Sequence, residues 1–270
     1  MTGPEVYTHG HHESVLRSHR WRTAENSAGF VLDLLEPTTW LLDVGCGPGT
    51  ITADLARRIP AGAVVGIDRA PAVVADARAA FATSTHPTLH FEVGDVYALP
   101  FADATFDVVF AHQVLQHLAD PVRALREMRR VLRPEGWLAV RDADYGAFVW
   151  YPGDPVLEEW RAVYHDVARA NGAEADGGRR LPGWVRAAGA TDLRVSSSNW
   201  TYASDDERQW WGGLWADRVR VSDFAHQAVE IGAATSEDLE RFARAFRRWT
   251  EAPDGVFLVV NVEVLARRGA

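Results

Sequence analysis

The residues best suited to chemistry are three glycines that alternate with other residues and follow an aspartate. Asp43 ends a short apolar run, and Gly45, Gly47 and Gly49 follow it before a helical pattern begins. A strand that turns into a helix in this way presents backbone N–H groups and the positive helix end to a ligand. Glycine suits such a turn because it allows close approach and positive φ. The pattern predicts a loop that binds a nucleotide-like cofactor, although a tight turn without a ligand has the same spacing.

Two cofactors compete for this loop. The dinucleotide fingerprint requires Gly or Ala as its last residue, and this chain has Thr50 there. The loop for S-adenosylmethionine (SAM) instead has alternating glycines after an acidic residue, which fits. Cys46 lies inside the turn, and we interpret it as a small filler because no base flanks it in the sequence.

Acidic residues also follow the next two predicted strands. Asp68 comes directly after the apolar run 63–67, where it can accept hydrogen bonds from both ribose hydroxyls. Its alternative role is to cap the next helix. Asp95 comes just after the run 89–93, where it can accept from an adenine amino group or form an Asx-turn.

Short strands alternate with helices over residues 40–141, which predicts a parallel sheet covered on both faces. The predicted strands are 40–44, 63–67, 89–93, 106–111 and 137–141. The predicted helices are 21–35, 51–59, 71–82 and 121–132. Later in the chain, the patterns predict helices over 155–170 and 179–188 and strands over 193–202 and 256–266.

The segment 204–253 is a helical insertion before the last strand. Eight of the 11 tryptophans lie at or after Trp150. Those of the insertion are Trp210, Trp211, Trp215 and Trp249. These aromatic residues either form the core of a helical cap or line a pocket for a flat or hydrophobic substrate.

The composition excludes several classes of function. The net charge is −9 and no residue of the chain is a lysine, which argues against a nucleic-acid partner, Schiff-base chemistry and a P-loop. No apolar run approaches the roughly 20 residues of a membrane span, and the polar N-terminus does not resemble a signal peptide. With one cysteine no disulfide within the chain is possible, so we expect a cytoplasmic protein.

The first 20 residues contain four histidines and Tyr7. Their spacing matches no zinc pattern and no carboxylate or cysteine array accompanies them, so we expect no metal. A lid or a polar tail explains the segment better. Tyr7 and His11 are candidates for the substrate pocket, together with Tyr145 and Trp211.

The succession of motifs resembles class I SAM-dependent methyltransferases, and most closely the type found in ubiquinone and menaquinone biosynthesis. The segments that carry the resemblance are 42–50, 66–68, 94–101, 106–118 and 132–140, with 21–28 similar to the lead-in helix of bacterial members. Five motifs in the right order are far more specific than one. The match covers about half of the chain, and the remainder matches no motif.

The resemblance implies SAM as the cofactor, S-adenosylhomocysteine (SAH) as its product and a small-molecule methyl acceptor. It assigns the methionine end of SAM to Asp43, Gly45 and Gly47, the ribose to Asp68, the adenine to Asp95 and Val96, and the methyl-transfer site to His112. Further cofactor contacts expected from the same motifs are Cys46, Gly49, Arg69, Gly94, Gln113 and His117.

The expected fold is α/β, with a Rossmann-like, mostly parallel sheet of seven strands, helices on both faces and the helical cap before the last strand. Residues 1–37 would form a lid and lead-in helix, 38–145 the SAM-binding core, and 146–270 the rest of the core with the cap.

His112 is the first candidate for a general base, because an imidazole titrates near neutral pH. The expected activity is methylation of an aromatic or apolar small molecule on oxygen, carbon or nitrogen; the alternatives are a non-catalytic SAM or nucleotide-binding module and an NAD-dependent oxidoreductase.

Overall fold

The computed structural model of the chain describes residues 21–83, 86 and 88–269. Apolar runs form strands β1 (Trp40–Val44), β2 (Ala63–Asp68), β3 (Leu89–Val93), β4 (Phe106–His112), β5 (Leu132–Ala143), β6 (Val149–Tyr151), β7 (Leu193–Tyr202) and β8 (Val256–Arg267). The helices are α1 (Ala24–Ala28), α2 (Thr50–Arg58), α3 (Pro71–Ala80), α4 (Pro121–Val131), α5 (Pro155–Ala170), α6 (Gly177–Ala187), α7 (Asp205–Val221), α8 (Asp223–Glu230) and α9 (Ser236–Thr250).

The first five strands form a parallel sheet in the order β3-β2-β1-β4-β5. The chain moves outward from β1 to β3 on one side and then from β4 to β5 on the other. The strand order therefore reverses between β1 and β4, and open α/β sheets bind ligands outside the carboxyl ends of the strands at such a point. The predicted site residues follow the ends of these strands.

The other end of the sheet is antiparallel. β7 pairs with β8 along the whole length of β7, from Leu193 opposite Ala266 to Tyr202 opposite Phe257. The opposite edge of β8 is shared by β5 and by the short β6. The sheet therefore has eight strands where the sequence predicts seven, and the additional strand is β6.

Helices cover both faces of the sheet. On one face, α1 and α2 bury Ala28 and Leu55 in a core that includes Phe110 of β4. On the other face, α4 and α6 contribute Met128 and Leu181 to a second core. This arrangement confirms the predicted fold class.

The lead-in helix is shorter than predicted. The sequence predicts a helix over 21–35, whereas α1 ends at Ala28 and a 3₁₀ segment, Gly29–Leu34, replaces the rest. The predicted inner face is still buried at Ala24, Ala28 and Val31. Gly29 at the junction has a low helix propensity, which is consistent with the change of winding there.

Strand β5 is longer than predicted. The sequence predicts a turn over 134–136 and a strand over 137–141, but β5 extends without interruption from Leu132 to Ala143. Its register against β4 shifts between Phe106 and Val108, and Glu135 has a φ of 66°. The turn residues are therefore accommodated within an irregular strand.

The cap consists of α7, α8 and α9, packed with α5 against the antiparallel end of the sheet. Its core is rich in aromatic residues, and Trp160, Trp215 and Phe246 are buried in mutual contact. Much of the tryptophan-rich segment is thus a hydrophobic core. In the described part of the chain, no helix combines the length and apolar character required to cross a bilayer.

Candidate active site

The glycine loop between β1 and α2 has left-handed backbone at Gly45, Gly47 and Gly49, with φ of 73°, 54° and 81°. The N–H groups of Gly45 and Cys46 donate to the carbonyl of Ile67, which fixes the loop beside β2. A Cβ at Gly45 would lie 2.3 Å from a methyl carbon of Val114. The loop therefore requires glycine for both its backbone conformation and its packing.

Gly49 differs from the other two glycines because it does not line the cleft at the sheet edge. A Cβ at this position would lie 2.6 Å from the ring of Phe91 and 3.3 Å from Ala77. Gly49 is the N-cap of α2, and its predicted contact with the cofactor stays a prediction.

Asp68 orders the loop from the end of β2. Its Oδ2 accepts from the N–H of Gly47 across 3.1 Å, and its Oδ1 accepts from the N–H of Ala70 across 3.0 Å. Ala70 is the N-cap of α3. Asp68 therefore supports the helix start as well as the glycine loop, and each carboxylate oxygen retains capacity for a further donor such as a ribose hydroxyl.

Asp95 is exposed at the end of β3 and accepts from the N–H of Tyr97 across 2.9 Å. This contact is the Asx-turn that the sequence analysis considers as the alternative role. It involves Oδ1 only, and Asp95 also lines the cleft beside Gly94 and Val96. The turn and an adenine contact are therefore compatible.

Asp43 is 2% exposed at the end of β1, and the Thr52 hydroxyl donates to its Oδ2 across 2.6 Å. Burial raises the pKa of Asp43 to about 7; the hydrogen bond lowers it and the nearby charge of Asp68 raises it. The site therefore has a carboxyl that titrates near neutral pH next to the glycine loop.

These groups share one open cleft of about 1530 Å³. The predicted cofactor residues that line it are Asp43, Gly45, Cys46, Gly47, Asp68, Arg69, Gly94, Asp95, Val96, His112, Gln113 and His117. Its far wall includes Asn171 and Gly172 at the end of α5, and Asp223 at the start of α8. Sequence analysis missed these three residues because they follow no recognisable motif.

His112 is 5% exposed at the end of β4. Nη1 of Arg141 lies 3.3 Å from Nδ1 of His112. The ring of Trp200 packs edge-on against the imidazole, with the ring centroids 5.6 Å apart. A guanidinium can only donate, so Nδ1 is the acceptor of this contact. The neutral imidazole then has its proton on Nε2.

His117 follows on the loop after β4, where the side-chain amide of Gln116 lies 3.1 Å from its Nε2. Burial and, to a smaller extent, the nearby charge of Arg22 lower the pKa of His117 to about 3. His117 is thus neutral at physiological pH, which suits a structural role better than proton transfer.

Gln113 connects several elements at the centre of the site. It has a φ of 53°, a conformation that costs a non-glycine residue on the order of 1–3 kcal/mol. Arg22 donates to its Oε1 across 2.8 Å, and its Nε2 donates to Asn261 of β8 across 3.2 Å. Arg22 also lines the cleft; the segment 21–28 is the only sequence signal that pointed to it.

A second, small cavity of about 30 Å³ adjoins the cleft. Arg22, Gln113 and His117 line both spaces. The structure brings Tyr145 and Trp211, two of the four candidate substrate residues, to the wall of this cavity. The other two candidates, Tyr7 and His11, lie outside the described residues.

No cluster of three or more metal-binding side chains occurs among residues 21–83, 86 and 88–269. The donor set of the cleft instead consists of loop N–H groups and acidic side chains at successive strand ends. This set fits a cofactor with an ammonium group, a ribose and an adenine ring. The parallel sheet with its glycine loop at the switch point therefore defines the class I methyltransferase fold.

Comparisons with known proteins agree with this class. The family described as "Methyltransferase domain" matches residues 42–140. An uncharacterized methyltransferase of Schizosaccharomyces pombe is 33% identical over 275 residues, which cover 97% of this chain and 96% of the relative. The relative named probable methyltransferase ltbC, from Aspergillus luteorubrus, is 28% identical over 289 residues and 96% of each chain. The YcgJ protein of Bacillus subtilis has a similar fold, with a TM-score of 0.58 at 19% identity over 90% of this chain and 97% of that chain.

The chain belongs to the methyltransferase family. It is a SAM-dependent enzyme with SAM as its cofactor, as the sequence analysis predicts. Neither alternative, the non-catalytic binding module or the NAD-dependent oxidoreductase, has support from the comparisons.

Proposed function

We propose that the enzyme transfers the methyl group of SAM to an aromatic or apolar small molecule bound between the cleft and the cap. The observation that carries this proposal is the junction at Arg22, Gln113 and His117, where the cleft meets a cavity with aromatic walls. Aromatic walls with a few polar groups are typical of small-molecule sites. A quinone-like acceptor is one member of this class, and the quinone-biosynthesis subtype stays a prediction, as does a cytoplasmic location.

For the cofactor, we propose the contacts that the motifs imply. Asp68 would accept from the ribose hydroxyls, Asp95 and Val96 would hold the adenine, and Asp43 with the glycine loop would hold the methionine end. Asp43 would be favoured in its ionised form by a cationic ammonium group beside it. Cys46, Arg69, Gly94, Gln113 and His117 complete the wall of the cleft.

SAM supplies a methyl group on a sulfonium: the acceptor's electron pair forms the new bond to carbon, the C–S bond breaks, and its electrons remain on the sulfur of SAH. The protein therefore contributes mainly by aligning the acceptor and excluding water. A proton on the acceptor atom, where there is one, leaves to solvent or to a side chain. We propose that His112 orients the acceptor by donating from Nε2, and its predicted role as a base is the alternative that a pH profile distinguishes.

The acceptor side of this proposal is tested with two tryptophans of similar exposure. Trp21 is 39% exposed and lines the small cavity, whereas Trp40 is 44% exposed at the opposite end of β1. Pools of aromatic small molecules are incubated with SAM and the full chain, and SAH formation and methylated products are followed by mass spectrometry. For the acceptor found, we expect Trp21→Ala to raise KM about tenfold without changing SAM affinity, since a lost aromatic contact is worth about 1 kcal/mol or more.

Trp40→Ala is the matched control, and we expect its kinetic constants to equal those of the wild type. Equal KM values for Trp21→Ala and the wild type would contradict an acceptor site at the small cavity. Methylation of a protein or nucleic acid, with no small molecule methylated, would contradict the proposed substrate class.

A further inference from the structure

The small cavity beside the cleft has the size of one chemical group. Its volume of about 30 Å³ is room for roughly two to three water molecules, since one water needs roughly 10–15 Å³. It opens toward the residues it shares with the cleft, Arg22, Gln113 and His117. A whole substrate does not fit, but the two oxygens of a planar group do.

Two hydrogen-bond donors in the wall of this cavity are buried without an acceptor among the described residues. Tyr202 is 1% exposed and Trp211 is 5% exposed. In the part of the chain that the structure describes, neither the hydroxyl of Tyr202 nor Nε1 of Trp211 has a hydrogen-bond partner. The two rings stack at 4.4 Å, so both groups are presented from one side of the wall. Buried donors of this kind destabilise a protein unless a ligand or solvent satisfies them.

Two guanidinium groups lie in the same wall. Arg218 of α7 is 4% exposed and lies over the ring of Trp215 at 4.7 Å. Arg22 lies over the ring of Trp200 at 5.2 Å. Among the described residues that line the cavity, none is an aspartate or glutamate. The walls therefore combine two guanidinium groups with neutral donors in an aromatic, poorly hydrated setting.

We propose that this cavity binds a carboxylate of the methyl acceptor and that the enzyme therefore acts on anionic, flat molecules. This inference rests on the proposed function, because it concerns the acceptor of the same site. The carboxylate would accept from Tyr202 and Trp211 and lie in the field of Arg22 and Arg218. The remainder of the acceptor would extend past Gln113 into the cleft. The two oxygens of a carboxylate match the volume of about 30 Å³.

Tyr202→Phe isolates one of these contacts. It removes a hydroxyl that no group among residues 21–83, 86 and 88–269 satisfies, so the folded chain should be as stable as the wild type or more stable. Affinity for a carboxylate should nevertheless fall about tenfold. A purely structural role of Tyr202 predicts no change in affinity.

Arg218→Gln tests the charge, and Arg220→Gln is its matched control on the same helix. Arg220 is exposed and pairs with Glu240 across 2.7 Å outside the cavity. We expect carboxylate affinity to fall about tenfold or more in Arg218→Gln, as for a charge-assisted hydrogen bond, and to be unchanged in Arg220→Gln.

The probes are benzoate and trans-cinnamate, each compared with its primary amide and titrated into the SAH-loaded full chain. Calorimetry and tryptophan fluorescence report binding. We expect each carboxylate to bind about tenfold more tightly than its amide, and this preference to disappear in Tyr202→Phe and Arg218→Gln. Three results would overturn the inference: the acid and its amide bind equally, the preference is unchanged in both variants, or no probe binds at about 10 mM. Failure of SAH itself to bind would contradict the proposed function, whereas intact SAH binding with no carboxylate preference would contradict this inference alone.

Discussion

Asp43 is a buried carboxyl whose ionisation depends on folding. Its pKa is raised to about 7, chiefly by burial, whereas an aspartate in the unfolded chain titrates near pH 4. Between these values the folded chain retains a proton that the unfolded chain has lost. The folded, ligand-free protein is therefore destabilised by this group as pH rises above about 4, and the loss is complete above about pH 7.

Asp43→Asn removes this titration and keeps an oxygen that can accept from Thr52. We expect the free energy of unfolding of the variant, relative to the wild type, to increase by on the order of 3 kcal/mol between about pH 5 and pH 8. Urea denaturation of both proteins without ligand measures the difference. A difference that is constant with pH would mean that Asp43 ionises normally in the folded state.

His112 is the residue whose catalytic role depends most on its tautomer. Because Arg141 donates to Nδ1, we expect Nε2 to act as a donor to the acceptor. His112→Ala should lower kcat about tenfold or more, and His112→Gln, which has an amide donor, should restore part of the loss. Stopped-time assays of SAH formation from pH 6 to about 9 check this. We expect the rate of the wild type to change little with pH. A rate that falls toward tenfold per pH unit on the acid side and levels off above neutral pH, with Gln as inactive as Ala, would establish a base instead.

At the scale of elements, a buried ion pair connects β5 and β8 directly behind the site. Arg141 is 1% exposed and lies with Nε 3.3 Å from Glu263, which is 6% exposed. Ser196 of β7 also donates to Glu263 across 2.7 Å. Burial lowers the pKa of Arg141 to about 10, so it is still charged at neutral pH. The network links three strands and holds the guanidinium that orients His112.

Glu263→Ala leaves this buried guanidinium without its carboxylate. We expect the free energy of unfolding to fall by about 3–5 kcal/mol. Glu240→Ala is the control, because Glu240 is half exposed and its pair with Arg220 should contribute less than about 1 kcal/mol. Urea denaturation at pH 7 compares the two, and a loss in Glu263→Ala no larger than in the control would contradict a structural role for the network.

The sequence predicts the elements best where strands are short and clearly bounded. Strands β1 to β4 and helices α2 to α4 agree within one or two residues. The apolar runs of β1 to β3 end at glycine or aspartate, and α3 and α4 begin at proline. It is less successful where tertiary pairing overrides local signals. The turn predicted over 134–136 lies inside β5, and β6 forms only because β8 offers it an edge beyond β5.

At the scale of the whole molecule, the two halves of the site differ in how far they can be predicted. The sequence predicts that the proposed cofactor residues lie together, because a parallel sheet brings the ends of β1, β2, β3 and β4 to one edge. Their contacts with SAM stay a prediction. A glycine pattern does not distinguish ligand contact from close packing, and Gly49 does not line the cleft. The small cavity has no local pattern, because its wall joins residues from Trp21 to Val259 that meet only after the cap has packed on the sheet.

The central claim is that the cleft at the glycine loop binds SAM through Asp68. Calorimetric titration of SAM into the full chain and into Asp68→Ala tests it most directly, with NAD titrated in parallel and Asp206→Ala, an exposed acid on α7, as control. We predict saturable SAM binding to the wild type and the control, binding at least about tenfold weaker in folded Asp68→Ala, and none of NAD. The central claim would be contradicted if the wild type did not bind SAM, or if Asp68→Ala bound SAM as tightly as the wild type.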